Sequence, residues 1–173
     1  MINRKRLLIT YLFYIIILIW FILFRLNIKE FCGKYNGISL IPFADKYNYT
    51  SYFARYACEI GNVISFIPSG IYLTLFFKEE KFLNRFLKSI CYIFCLSLFL
   101  EIVQYFLVIG ISSTTDLLHN SLGGLIGVSL YETLKKFVST KRIDDINKYT
   151  LFIIIPLSIF AVINTLIHIN LYI

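Results

Sequence analysis

Within 20 residues of this chain stand Glu101, Gln104, Asp116, His119 and Asn120: two carboxyl groups, two amides and an imidazole. Side chains of these types can hold a polar ligand by hydrogen bonding. A carboxyl whose pKa is raised by burial, or a carboxylate beside an imidazole, can also move protons. Their surroundings make the grouping costly. The chain has 173 residues, 58% of them apolar and 16% charged, with a mean hydropathy of +0.75. Soluble domains carry about 25% charged residues. Here the charges cluster between apolar runs that approach the roughly 20 residues a helix needs to cross a bilayer. Composition therefore predicts a multi-pass integral protein of the cell membrane. The net charge of +7 arises at the ends of the apolar runs, with no basic stripe interleaved with aromatics, so no nucleic-acid partner is expected.

The elements that must position these groups follow from run length and flanking charge. One all-α transmembrane domain is expected over residues 1–173, with spans near 7–24, 56–77, 89–110, 117–134 and 150–172 and an extracytoplasmic loop at 25–55. The first run, Leu7–Phe24, is 18 residues long and no small-x-small cleavage site follows it. It exceeds the roughly 7–15 apolar residues of a signal peptide and reads as a retained helix. Arg4, Lys5 and Arg6, then Lys78, Lys81, Arg85 and Lys88, then Lys135, Lys136, Lys141, Arg142 and Lys148 fall on one side, 12 of the 17 basic residues. The other 5, Arg25, Lys29, Lys34, Lys46 and Arg55, lie in the first loop. The positive-inside bias puts the N-terminus in the cytoplasm. In the loop, the apolar segment around Ser39–Phe43 is open to two readings: a surface loop touching headgroups, or a lid over whatever lies between the helices.

Helical spacing collects the polar groups. Asp116, His119, Asn120, Gly123, Gly124 and Gly127 share one face of the fourth span, polar at its outer end and glycine further in. Gly123 and Gly127 have the small-xxx-small spacing that lets two helix backbones approach closely. Glu101 and Gln104 share a face of the third span. The second carries Glu59, Asn62, Ser65 and Ser69, and Pro68, which removes a backbone donor and kinks a helix. At about 1.5 Å per residue, Asn62, Gln104, Asn120 and Glu101 lie roughly 5–13 Å below the outer surface, with Glu59 and Asp116 near the mouth. All three spans thus turn their polar groups to the outer half of the bilayer. Asn62, Pro68, Glu101, Gln104, Asp116, His119 and Asn120 form the expected ligand-binding cleft.

Each group also has a plainer role. Amides between membrane helices often only hold the bundle together, at about 0.6 kcal/mol per hydrogen bond. His119 is placed to be a hydrogen-bonded partner of Asp116 one turn away. Glu101 departs from that pattern, because a carboxyl deep in a span is a functional candidate by default. Burial and the lack of a basic residue in the spans predict that it is neutral, bridging Gln104 to Asn120 or Asn62. His119 and His168 are the two histidines, too few for a metal site, and no phosphate-cradling loop or nucleophile motif is present. No cofactor is expected. Cys32, Cys58, Cys91 and Cys95 match no metal spacing, and Cys32 and Cys58 fall on the same side, leaving a disulfide open.

At these residues the sequence resembles the VanZ-like family of bacterial membrane proteins. The resemblance spans about Arg25 to Gly127. It rests on the Leu40-Ile41-Pro42-Phe43 segment, on Asn62-x3-Phe66-x-Pro68-x-Gly70, on Glu101-x-x-Gln104 and on Asp116-x3-Asn120-x-x-Gly123-x3-Gly127. Many relatives carry an Arg soon after the Glu-x-x-Gln pair, where this chain has none. The resemblance implies a link with tolerance of teicoplanin-type glycopeptides. The residues then support three readings. The first is a cleft that binds a membrane lipid, a lipid-linked cell-wall precursor or an amphiphilic glycopeptide. The second is a membrane-embedded enzyme using Glu101, Asp116 and His119 for acid/base chemistry on a lipid-linked substrate. The third is an accessory subunit packing through Gly123 and Gly127. The oligomeric state is left open.

Overall fold

The computed structural model describes residues 3–24, 37–43, 52–107 and 111–172. Five helices carry the fold: α1 (Arg4–Phe24), α2 (Tyr52–Phe76), α3 (Phe82–Leu107), α4 (Thr114–Leu134) and α5 (Thr140–Tyr172). The all-α class holds. The helices outrun the predicted spans, most of all α3 and α5, whose starts lie 7 and 10 residues earlier than expected. Apolar runs mark only the part of a helix that meets lipid. The charged flanks continue the same helices, because Lys, Arg and Glu are themselves good helix formers.

Four helices, α1, α2, α3 and α5, are long and apolar enough to cross a membrane, and this is a membrane protein. α4, which run length predicts to be a span, is not among them. Asp116, His119, Asn120 and Glu132 lower its hydropathy. Its neighbours supply the compensation: Asp116, Asn120, Gly123, Gly124, Gly127, Val128 and Tyr131 are all buried. A helix sheathed by other helices can carry polar side chains that a lipid-facing helix cannot.

The core draws on every helix: Tyr14, Leu18 and Ile22 of α1, Phe66 and Leu73 of α2, Ile93 and Leu100 of α3, Val128 of α4 and Ile154 of α5. α2 and α4 make the closest pair because their glycines remove the side chains between them. A Cβ built on Gly123 would collide with the Val63 carbonyl, one on Gly127 with the Ile67 carbonyl, and one on Gly70 with the Gly124 carbonyl. At one end of the bundle, charge pairs tie neighbouring helices. Arg6 Nη1 lies 3.3 Å from Asp144 Oδ2. The buried Arg85 donates to Glu132 Oε1 at 2.7 Å and to the Glu80 carbonyl at 2.8 Å.

The sequence pattern did not anticipate two three-residue strands. β1 (Gly37–Ser39) and β2 (Ile111–Ser113) pair in parallel, Gly37 with Ile111, Ile38 with Ser112 and Ser39 with Ser113. The pairing gives partners to backbone N–H and C=O groups that no helix satisfies, a requirement away from water. Cys32 lies outside the described residues, and so does any pairing of it with Cys58.

Candidate functional site

The end of the bundle opposite the Arg6 and Arg85 pairs gathers the expected polar groups. Asn62 (1% exposed), Glu101 (4%), Gln104 (5%), Asp116 (5%) and Asn120 (0%) are all buried. They come from α2, α3 and α4, and one bond draws α1 in as well, since Gln104 Nε2 donates to the Ile22 carbonyl at 3.2 Å.

The start of α4 organises the site. Ser113 is its N-cap, with extended backbone (φ −126°, ψ 132°) and an Oγ that accepts the Thr115 N–H at 3.1 Å. A serine here satisfies one of the donors that every helix N-terminus leaves over. The Ser113 N–H in turn donates to Glu101 Oε2 at 2.8 Å. Glu101 stands six residues before the end of α3, hence roughly 9 Å along the helix from that end. α4 therefore starts within side-chain reach of a point well inside α3. Asp116 sits in this first turn. Irregular backbone at membrane depth is tolerated where protein surrounds it, and the β1–β2 pair supplies part of that surround.

The polar partners differ from those expected. Glu101 does not bridge Gln104 and Asn120. Gln104 turns to Ile22, and Asn120 Nδ2 donates to Ser97 Oγ at 2.9 Å. Asp116 does not pair with His119 either; its Oδ1 accepts from Asn62 Nδ2 at 2.6 Å, across the α2–α4 contact. The glycine interface explains the exchange, because it brings α2 close enough for an amide to reach a carboxylate one helix away. His119 is half-buried, its Nδ1 has no partner, and its ring meets Phe43 edge-on at 6.1 Å between centroids.

Phe43 belongs to the apolar segment after β1. Its N–H donates to Thr115 Oγ1 at 2.8 Å, and Thr114 Oγ1 donates to the Ser39 carbonyl at 3.3 Å. Its φ of 63° is a left-handed conformation that a bulky side chain adopts only when its surroundings hold it there. Residues 39–43 thus lie against the first turn of α4 and cover His119, while Leu40 and Ile41 remain 74% and 70% exposed.

Pro68 lies elsewhere. It is six residues along α2 from Asn62, next to Ile67 and two residues before Gly70, which place it level with the glycine contacts. Gly123 and Gly127 do pack a helix, as their spacing predicted, but the helix is α2 of the same chain. That face is therefore closed to another protein. Residues that sequence reasoning missed include Ser97, Ser113 and Thr115, while Gly70 entered only as part of a motif. Ser97 is four residues before Glu101 on the same face of α3, so its signal was present. Nothing marked the Ile22 carbonyl.

A family model described as VanZ/LLP1 matches residues 11–135, which contain α2, α3, α4 and most of α1. Protein VanZ of Enterococcus faecium is 34% identical to this chain over 136 residues, 77% of this chain and 78% of that one. No solved structure matches the chain.

Proposed function

This chain belongs to the VanZ/LLP1 family, and from that membership and the polar layer at one end of its bundle we propose that it binds a membrane lipid or cell-envelope precursor. The cleft faces outward from the cell membrane, and its occupation lowers susceptibility to teicoplanin-type glycopeptides. The protein crosses the membrane five times, with α4 as the inner, protein-sheathed span and the N-terminus in the cytoplasm. Residues 39–43 act as the lid.

The observation that carries this reading is the gathering of buried amides and carboxyls from three helices. Asn62, Glu101, Gln104, Asp116 and Asn120 come from three helices and lie buried toward the same end. Below them α2 and α4 meet through glycine and backbone. Buried polar residues also occur toward the other end, Arg85 and Asn147 among them, but it is at this end that two carboxyls and three amides from three helices come together. Helix-lined clefts with a few convergent polar groups are where small ligands bind. Acid/base catalysis by an Asp116–His119 pair has no support in the geometry, since Asp116 is engaged by Asn62 and His119 faces Phe43.

The test expresses the chain in a glycopeptide-susceptible bacterial host and follows teicoplanin susceptibility, membrane abundance and co-purified lipid by native mass spectrometry. Wild type should raise tolerance and retain a defined amphiphile. Asp116→Leu, which removes the acceptor for Asn62, should lose both at near-normal abundance. Full tolerance with Asp116→Leu would show that the cleft is not the working site.

A further inference from the structure

The end of the bundle tied by the Arg6 and Arg85 pairs carries charge that those pairs do not absorb. Of the acids there, Glu79 meets Lys78 at 3.5 Å and Asp144 meets Arg6 at 3.3 Å. Glu80 pairs with Lys88, and Glu132 with Arg85 and Lys135. Asp145 is exposed and pairs with no cation among the described residues. Arg4, Lys5, Lys136, Lys141 and Arg142 are exposed too, and none of them has an acidic partner among the described residues. Retention of Lys and Arg on one side of a membrane accounts for their number. It does not account for five left unpaired together.

Packing gathers these cations. Leu7 of α1, Leu75 of α2 and Tyr131 of α4 form one buried cluster, and Ile143 of α5 packs against it. Arg4 and Lys5 stand just before Leu7, and Lys141 and Arg142 directly precede Ile143. Asp144 locks the two helix starts together, because its Oδ1 accepts the Asn3 N–H at 3.0 Å while its Oδ2 holds Arg6. Lys136 follows Tyr131 in a tight turn, in which the Lys136 and Phe137 N–H groups donate to the Thr133 and Leu134 carbonyls at 3.3 and 2.9 Å. Beyond the cations the exposed surface becomes apolar. Arg4, Leu8 and Leu12 share a face of α1, and Arg142, Ile146 and Ile153 share one of α5. Phe137, beside Lys136, is 78% exposed.

We propose that this patch binds an anionic phospholipid of the leaflet that the ionic end meets. The headgroup phosphate sits among Arg4, Lys5, Lys136, Lys141 and Arg142, and the acyl chains lie along the apolar rows of α1 and α5. Clusters of Lys and Arg next to membrane helices attract anionic headgroups by charge, and guanidinium and ammonium groups both bond phosphate oxygens strongly. The apolar rows decide for a lipid. A soluble anion would meet the cations and make no use of the surface that continues from them. This site lies at the opposite end of the bundle from Glu101 and Asp116 and does not depend on the cleft reading.

The experiment titrates delipidated full-length protein with phosphatidylglycerol and phosphatidylcholine and reads retention by native mass spectrometry, with a thermal melt to confirm folding. Wild type should retain phosphatidylglycerol at least about fivefold over phosphatidylcholine, the factor that one basic residue near a membrane surface supplies. Lys5→Gln and Lys141→Gln should each lower phosphatidylglycerol retention by about the same factor. Lys81→Gln is the control. Lys81 is exposed and has no acidic partner among the described residues, but it starts α3, which adds no residue to the cluster around Leu7. Its retention should stay within about twofold of wild type, less than the loss of one contributing cation. Equal retention of the two lipids by wild type would overturn the proposal. An equal loss in Lys81→Gln would also overturn it, since net charge and not this patch would then be at work. So would unchanged retention in folded Lys5→Gln and Lys141→Gln. Glycerol phosphate that displaces the lipid at equal concentration would overturn the part given to the acyl chains, and with it the choice of a lipid. If neither patch variant folds, the wild-type ranking and the glycerol phosphate competition decide.

Discussion

An acidic side chain in the middle of a membrane helix costs about +2.5–3.5 kcal/mol on insertion scales, and Glu101 meets that cost by accepting the Ser113 N–H at 2.8 Å. The carboxyl thus completes the cap of a neighbouring helix while remaining buried among α2, α3 and α4. Glu101→Gln keeps an acceptor oxygen for Ser113, so it should insert and fold. Glu101→Leu leaves that N–H without this partner and should lose about 1–3 kcal/mol of stability. The two variants also separate roles. If the acid group matters for ligand charge or proton chemistry, Gln should abolish glycopeptide tolerance as fully as Leu; if it only shapes the cleft, Gln should retain much of it. Wild-type tolerance from Glu101→Leu at normal membrane abundance would leave helix capping as its whole role. The residue itself was legible in the sequence because an acid in an apolar run is conspicuous. Its partner was not, because a backbone N–H has no letter of its own. The same limit hid the Ile22 carbonyl that receives Gln104. The Asp116–His119 pairing failed for another reason: local spacing favoured it, and a tertiary contact with Asn62 displaced it.

At the scale of elements, the glycines of α4 were readable because three-residue gaps between small residues have one strong use, close backbone approach. What spacing could not say was which helix approaches. The structure answers with α2, whose Val63 and Ile67 carbonyls occupy the space that Cβ atoms at Gly123 and Gly127 would need. Gly70, visible only as part of a motif, makes the reciprocal contact with the Gly124 carbonyl. Backbone carbonyls cannot step aside as a flexible side chain can. Gly123→Leu and Gly127→Leu should therefore each destabilise the protein in detergent by about 1–3 kcal/mol or more. Ser129→Leu, at an exposed position, should stay within about 0.5 kcal/mol of wild type. Equal melting shifts for all three would mean that close packing is not what the glycines provide. The strands β1 and β2 were illegible for the opposite reason. Three residues are too few to show alternation, and their pairing depends on the depth at which α4 begins.

The whole molecule is polarised. One end is tied by ions, with Arg6 on Asp144 and Arg85 on Glu132, and the other end holds the buried carboxyls Glu101 and Asp116 with Asn62, Gln104 and Asn120. The ionic end contains 12 of the 17 basic residues by the span assignment, against 5 in the first loop. Lys and Arg are retained on the cytoplasmic side of membrane proteins, and the outward orientation proposed for the cleft follows from that asymmetry. The span count depends on α4, which lacks the apolarity of the other four helices yet has 21 residues, roughly 31 Å of rise against a hydrocarbon core of about 30 Å. Its length suffices; its polar face is admissible only because α2 and α3 cover it. Reporter fusions decide the matter. Fusions after Lys34 and after Ser113 should report the outside, and a fusion after Arg142 the inside. A fusion after Lys34 that reports the inside would invert the protein and turn the cleft to the cytoplasmic leaflet. Fusions after Ser113 and Arg142 that report the same side would show that α4 enters and leaves by one face. In that case α5 would run in the opposite sense to a five-span chain. The Arg6–Asp144 contact, which joins the starts of α1 and α5 at one end, argues against that outcome.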